Sequence, residues 1–445
     1  MVRDVSVPLG EDVQLVRFLY CDFSGVTRGK AVHAKHLARK LREGVGLTRA
    51  QMAMNLLDEL CPVDGMEPVG EIRLIPDLAT LRTLPWDRRS ASVYCDQVGQ
   101  DGEDWGACPR GFLRHAAEKL AAVGIEVQAS FENEFYLARE AEGRYAPFDH
   151  APVYSAIGLD LSADVMHDIV EALEEQGLDV AQSINEYGAG QHEISIAPAT
   201  PLAAGDRQMR LRDTVRGVAL RHGLLASFAA KPFPAEVGSG AHIHFSLWRG
   251  GKNLMYDPAN PGRLSETGLH FVGGILSHLR ALTALTCPNY NSYRRLQPHA
   301  WASAYVSWGY DNRETAVRVA SPFRGSEEET FNAELKTSDP SANPYLALGG
   351  LLLAGLDGLE RGVEPGAPCL HDPALLESAD REALGILPLP PSMREALQEL
   401  EADRVLMDGM GDFLSRAYLT VRRSEEQAFS AQDTDFEISR HFYRF

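Results

Sequence analysis

Residues 131–137 read FENEFYL and place two glutamates in a run that otherwise looks like a buried strand. Side chains alternate between the two faces of a strand. Phe131, Asn133 and Phe135 therefore share one face, and Glu132 and Glu134 share the other. Two carboxylates side by side in a partly buried sheet repel each other and lose hydration. A group of opposite charge has to meet them on that second face.

Three other stretches carry groups of the same kind. NEYGAGQHEIS (185–195) supplies Glu186 and Glu193 around a glycine-rich turn that leads into a strand. GSGAHIHFSLW (238–248) supplies His242 and His244, again two apart on one strand face. NAELKTSDPSANPYL (332–346) supplies Glu334, followed by Lys336. A divalent cation turns carboxylate repulsion into coordination. Oxygen-rich sets with at most one imidazole suit Mg²⁺ or Mn²⁺ better than zinc. Five glutamates and a histidine exceed what one Mg²⁺ takes from protein, so two metals bridged by phosphate oxygens are the natural count. NSYRRLQPHAW (291–301) adds Arg294 and Arg295, and DNRETAVRVAS (311–321) adds Arg313 and Arg318. These pairs read as an anion clamp. Metals and arginines without a nucleophile motif point to phosphoryl transfer by positioning and charge neutralisation.

The 445-residue chain is long enough for a large core and more than one domain. It has 43 basic against 62 acidic residues, a net charge of −19, which argues against a general nucleic-acid binder. Six scattered cysteines with no C-x-x-C pair read as reduced thiols, and no apolar run approaches a membrane span. With no signal-peptide pattern at the start, the expected location is the cytoplasm.

Residues 14–20 and 26–33 read as a hairpin around the turn DFSG, 75–86 as a loop-rich connection, and 91–98 as another strand. A Pro-led amphipathic helix at 108–124 sets a domain boundary near residue 107. Helices at 163–177, 207–223, 266–285 and 343–362, with strands at 192–198 and 240–248, follow without regular βα alternation. That pattern predicts an α+β fold rather than a doubly wound parallel sheet.

Eight landmarks, in order, resemble the glutamine synthetase superfamily over nearly the whole chain. They are DFSGVTRGK, IPDLATLRTLPW, FENEF, EYGAGQHE, KPFPAEVGSGAHIHFS, NSYRRL, NRETAVR and AELKTSDPSANPYLALGGLLLAGLDG. The resemblance implies a small N-terminal β-grasp domain (1–107) and a large catalytic α+β domain (108–445). It implies a homo-oligomer of two stacked hexameric rings, with active sites between neighbouring subunits. By position, Glu134, Glu186 and Glu193 match one metal site, and Glu132, His242 and Glu334 the other. His244, Ser246, Arg313 and Arg318 match ATP and phosphate contacts; Gly238 and Arg295 match glutamate contacts, as does Lys336 where the family carries arginine. The implied reaction phosphorylates the γ-carboxylate of glutamate from ATP, with Arg313 and Glu334 in catalytic roles, and passes the acyl group to an amine.

The departures bear on the amine. Ammonia-using members carry an Asp-Gly-Ser-Ser segment whose aspartate helps hold ammonium; the corresponding GLTRAQMAMN (46–55) has no carboxylate. Their flap glutamate falls at Trp301 here, and an indole offers a flat face to an alkyl chain or a cation. Val237 replaces the usual asparagine before Gly238, and Lys336 keeps a charge but loses the guanidinium fork. These changes resemble the branch that ligates glutamate to organic amines, such as the γ-glutamylpolyamine synthetases. True glutamine synthesis is the second expectation, and a non-catalytic structural relative the third.

Overall fold

The computed structural model describes residues 9–10, 12–260 and 262–445, and every structural statement below concerns these. The N-terminal domain contains β1 (Leu15–Cys21), β2 (Thr27–His33), α1 (Leu37–Glu43), β3 (Val45–Thr48), β4 (Glu71–Pro76), β5 (Arg82–Leu84) and β6 (Asp87–Val98). The β1–β2 hairpin turns at Asp22–Gly25, where the Asp22 carboxylate accepts the N–H groups of Ser24 and Val26. The sheet runs β2-β1-β6-β4-β3, with β5 on β6 and β1 parallel to β6 at its centre. The expected loop at 75–86 is more ordered than its composition suggests: it holds the end of β4, a short 3₁₀ turn and β5, because β6 provides a ladder on which Arg82–Leu84 can pair.

The larger domain opens with α2 (Pro109–Ala122), capped by Cys108 with Pro109 at its first position. It continues through β7 (Glu126–Ala141), β8 (Arg144–Pro147), α3 (Ala156–Glu175), β9 (Val180–Asn185), β10 (Gln191–Ile196) and α4 (Pro201–Arg221). Next come β11 (Leu225–Ser227), β12 (Ala241–Arg249), β13 (Lys252–Asn253), α5 (Glu266–Thr286), β14 (Trp308–Tyr310) and β15 (Val317–Ala320). The chain then forms α6 (Glu327–Thr330), β16 (Asn332–Leu335), α7 (Pro344–Arg361), α8 (Ser378–Ala383), α9 (Met393–Ala402), α10 (Arg404–Ser430) and α11 (Thr434–Arg444).

Its sheet runs β14-β15-β16-β12-β7-β10-β9, antiparallel except for the β14–β15 pair, with β8 and β11 on β7 and β13 on β12. Phe131, Asn133 and Phe135 of β7 are 2%, 0% and 0% exposed, so their face is the buried one. Ile194, Ile243, Phe245, Ala333, Leu335, Val317 and Val319 from neighbouring strands are buried too. Beneath, Gln208 of α4 donates to the side-chain Oδ1 of Asn133 at 2.5 Å, giving the one polar member of that row its partner. The mixed helix-and-sheet architecture, with a separate small domain and a large catalytic one, is the expected one.

Two charged ties hold the assembly of elements. Arg110 of α2 is 3% exposed and reaches Asp96 at 2.9 Å, Asp77 at 2.6 Å and Asp206 at 2.8 Å, joining the small sheet to α2 and α4. His278 of α5 bridges Asp403, the cap of α10, at 2.6 Å and Asp357 of α7 at 3.0 Å. Burial pulls the His278 imidazole down, but the hydrogen bonds to Asp403 and Asp357 outweigh it and raise its pKa above the usual 6.5. The folded state therefore holds this proton more tightly than the unfolded chain. The bridge's contribution is complete below about pH 6.5 and is lost as pH rises through the raised folded value. His278→Gln should cost about 1–3 kcal/mol at pH 6 and much less at pH 9, measured by denaturant unfolding at the two pH values.

Candidate active site

The pairing register of five strands assembles the site. His242 of β12 lies opposite Glu132 of β7, and Ser195 of β10 lies opposite Glu132 on its other side. One step along, Glu134 of β7 faces Glu193 of β10. One step the other way, His244 of β12 faces Glu334 of β16, which faces Arg318 of β15. Directly opposed residues have Cβ atoms about 5 Å apart on one face. A single sheet face thus presents Arg318, Glu334, His244, His242, Glu132, Glu134 and Glu193 as a diagonal band.

The two ends of this band differ electrically. Among the described residues, Glu132, His242 and Glu334 form a trio whose ligand atoms lie within 4.8 Å of one another. His242 Nδ1 is 3.5 Å from Glu132 and 3.8 Å from Glu334, and His244 Nε2 is 3.2 Å and 3.0 Å from the same two carboxylates. Arg318 Nε is 2.7 Å from Glu334, and Lys336 Nζ is 3.8 Å from it and 3.4 Å from His242. Burial alone would raise Glu132, but His244 and His242 hold it well below the usual carboxylate range. Glu334, 1% exposed, is held low in the same way by Lys336 and both imidazoles. His242 is pushed down to about 4 by burial and by Lys336, so it is a neutral donor.

The other end is carboxylate without a facing cation. Burial first, and then Glu132, Glu134 and Glu186, push Glu193 up. Glu134 is pushed up to about 7, chiefly by burial, although Arg295 draws it down. Its Oε2 accepts the Gly240 N–H at 2.9 Å and the Gln191 amide at 3.1 Å. Glu186, just past β9, accepts from the Tyr154 hydroxyl at 3.3 Å and the Tyr187 N–H at 3.1 Å.

This donor set fits divalent cations. Glu132, His242 and Glu334 gather three ligand atoms within 4.8 Å of one another, and the Glu134–Glu186–Glu193 end is repulsive without positive charge. Oxygen donors with one neutral imidazole are the ligands of a hard or borderline cation.

Behind the band lies a guanidinium. Arg295, 4% exposed, donates through Nη2 to the Lys336 carbonyl at 3.2 Å and sits 3.4 Å from His242, while its Nη1 has no partner. Two glycines let it in: a Cβ at Gly238 would fall 2.6 Å from Arg295 Cγ, and one at Gly240 would fall 2.7 Å from its Nη2. Arg294 does not join this wall. It turns outward and pairs with Glu437 of α11 at 2.7 Å, so the expected double-arginine clamp at 294–295 is a single one. The reason is the short 3₁₀ turn at Tyr290–Arg294, which sends successive side chains in different directions. Ser246 accepts from the Trp248 indole at 2.8 Å, and Arg313 lies exposed at the rim, its Cζ 6.0 Å over the Trp301 ring. Val237 is 38% exposed and offers its carbonyl to the Tyr136 hydroxyl at 2.7 Å.

Sequence reading missed Gln191, whose amide ties Glu134 to the Gly238 carbonyl and to Ser239. It also missed Asn332, which partners His244 Nδ1 at 2.9 Å. Strand alternation puts Gln191 on the face of Glu193 two residues on, and that signal could have found it.

The comparisons agree with this geometry. The glutamine synthetase catalytic-domain family model matches residues 106–441, and the glutamine synthetase N-terminal-domain model matches residues 2–105. A γ-glutamylpolyamine synthetase of Streptomyces coelicolor is 36% identical over 433 residues, 96% of this chain and 92% of its own. A glutamine synthetase of Pyrococcus abyssi is 34% identical over 457 residues, 99% of each chain. The crystal structure of a glutamine synthase homologue is 33% identical, with a TM-score of 0.85 over 97% of this chain and 98% of that one. The chain belongs to the glutamine synthetase family, whose members are ATP-dependent carbon–nitrogen ligases that use divalent metals.

Replacing Glu193 by glutamine removes one of the repelling carboxylates. The variant should melt a few degrees higher than the parent in chelator, and its gain in melting temperature on adding Mg²⁺ or Mn²⁺ should be smaller; scanning calorimetry with and without the metals reads both.

Proposed function

We propose that this protein joins the γ-carboxylate of glutamate to an organic amine, with a polyamine as the leading class, at the expense of ATP. The observation that carries the ligation itself is the buried Arg295 with an unpaired Nη1 beside a band of metal-type ligands. Arg295 and the Gly238 segment hold the glutamate carboxylate, and buried Lys336 adds positive charge without a second fork. Glu134, Glu186 and Glu193 hold one divalent cation, and Glu132, His242 and Glu334 a second, with Mg²⁺ or Mn²⁺ the metals that suit these donors. Bound there, the cations supply charge neutralisation for the triphosphate oxygens.

His244, Ser246, Arg313 and Arg318 line the nucleotide side. The γ-carboxylate oxygen bonds to the γ-phosphorus as the bond to ADP breaks, and Arg313 stabilises the equatorial charge. The neutral amine nitrogen then bonds to the acyl carbon, phosphate leaves with the C–O electron pair, and the nitrogen gives its proton to solvent. The products are a γ-glutamyl amide, ADP and phosphate.

Preference for an organic amine is supported by what stands at the mouth. Trp301 is 47% exposed and matches, by position in the resemblance, the flap carboxylate of ammonia-using members, and residues 46–55 contain no acid. The relative at 36% identity is a γ-glutamylpolyamine synthetase. Glutamine synthesis from ammonium is the second reading, favoured by the full-length glutamine synthetase at 34% identity. The enzyme is proposed to work in the cytoplasm as two stacked hexameric rings.

Phosphate release with Mg²⁺, ATP and glutamate should rise with putrescine or spermidine far more than with ammonium, and mass spectrometry should find the γ-glutamyl amide. Turnover with ammonium alone would overturn the organic-amine reading. Arg295→Lys should raise the glutamate KM about tenfold or more while leaving that for ATP near the parent value, since a bidentate contact is lost.

A further inference from the structure

Several side chains at the mouth of the site take no part in holding metal, nucleotide or glutamate. Tyr154, Tyr187 and Trp301 are 53%, 58% and 47% exposed, although most large aromatic residues of this chain are buried. The rings of Tyr187 and Trp301 meet edge to face, 6.1 Å apart at 66°. Tyr154 and Trp301 hold left-handed backbone angles, φ +54° and +52°, which bulky residues avoid unless their surroundings impose them. The indole already faces a cation, since Arg313 Cζ lies 6.0 Å over it.

A carboxylate closes each end of this aromatic run. At the inner end, Glu186 binds the Tyr154 hydroxyl and the Tyr187 N–H. At the outer end, Glu314 accepts the backbone N–H of Trp301 at 3.3 Å. Glu314 is half-buried, and among the described residues no ion pair engages it or Glu186. With Glu186 given to its metal, Glu314 is the carboxylate left at the far end of the aromatic run, placed to meet a cation carried beyond an alkyl stem.

Resting on the organic-amine reading above, we propose that Tyr154, Tyr187, Trp301 and Glu314 form the acceptor pocket, and that it selects a linear diamine or longer polyamine. The aromatic faces cover the methylene stem. Glu314 holds the distal ammonium, which leaves the near nitrogen, once neutral, toward the acyl carbon. Glu314 is the specificity-determining residue: a monoamine of the same length fills the stem wall but has no charge to give it. The chemistry at the reacting atoms is that of the ligation already described.

Steady-state kinetics of the full-length protein with Mg²⁺, ATP and glutamate test this, with ammonium, pentylamine, putrescine and cadaverine as acceptors. Glu314→Gln should raise the KM for putrescine and cadaverine about tenfold or more, the scale of a charge-assisted hydrogen bond, and change that for pentylamine, which matches putrescine in length, little. Tyr187→Ala should raise the KM for all three organic amines, and Tyr187→Phe should restore it. The KM values for ATP and glutamate should stay within about twofold of the parent in each variant, which separates a pocket from a structural role. Diamine KM values that do not move in Glu314→Gln and Tyr187→Ala, or that move together with those for ATP and glutamate, would overturn the pocket while leaving the ligase reading intact. A parent enzyme that accepts ammonium alone would sink the organic-amine reading and this pocket with it.

Discussion

The register of β7 against β12 and β10 is the constraint from which the site follows. Side chains in a strand alternate with a period of two, so a slip of one residue would turn Glu132 and Glu134 into the core and Phe131 and Phe135 out to the cavity. Burial fixes the register from behind. Phe131, Asn133 and Phe135 are almost wholly inaccessible, and Gln208 of α4 reaches Asn133. The carboxylates are therefore held in a repulsive arrangement by hydrophobic burial on the opposite face. An apolar layer here provides the energy that keeps charged groups in working positions.

That arrangement divides the site into two electrical regimes. Toward β16 and β15 the acids meet Lys336, Arg318, His242 and His244, and Glu132 and Glu334 are held ionised. Toward β10 and the Glu186 turn, burial outweighs the pull of Arg295 and Lys336, and Glu134, Glu186 and Glu193 are pushed toward their neutral forms. The first region is balanced without added charge. Added positive charge would favour the ionised forms of the second, the general way in which cation binding is coupled to deprotonation.

Elements far along the chain finish the cavity. Glu437 of α11 grips both Asn291, at 2.7 Å, and Arg294, and Asn291 in turn accepts the Lys231 N–H at 2.6 Å. The C-terminal helix thus fixes the segment that delivers Arg295 and the loop that leads to Gly238. Glu236 of that loop accepts the Ala189 N–H at 3.1 Å and links it to the turn bearing Glu186. The elements bearing Arg295 and Gly238 and the turn bearing Glu186 are mechanically joined through these few hydrogen bonds.

The metal-type ligands were legible in the sequence because strand periodicity is local: FENEF, HIH and AELK each declare which residues share a face. The mixed fold, the helix led by Pro109 and the long buried helix at 344–361 were legible for the same reason. Other features were settled only in three dimensions. Which strands pair, and so that His244 stands opposite Glu334 and Glu193 opposite Glu134, depends on contacts between residues about sixty and ninety positions apart. The outward turn of Arg294, the pairing of β5 inside an apparent loop, and the meeting of Tyr187 with Trp301 were likewise decided by partners remote in the chain. Alternation along a strand is fixed by covalent geometry, whereas the choice of neighbour is fixed by how the whole apolar surface can be buried at once; the first is written residue by residue, and the second exists only in the folded chain.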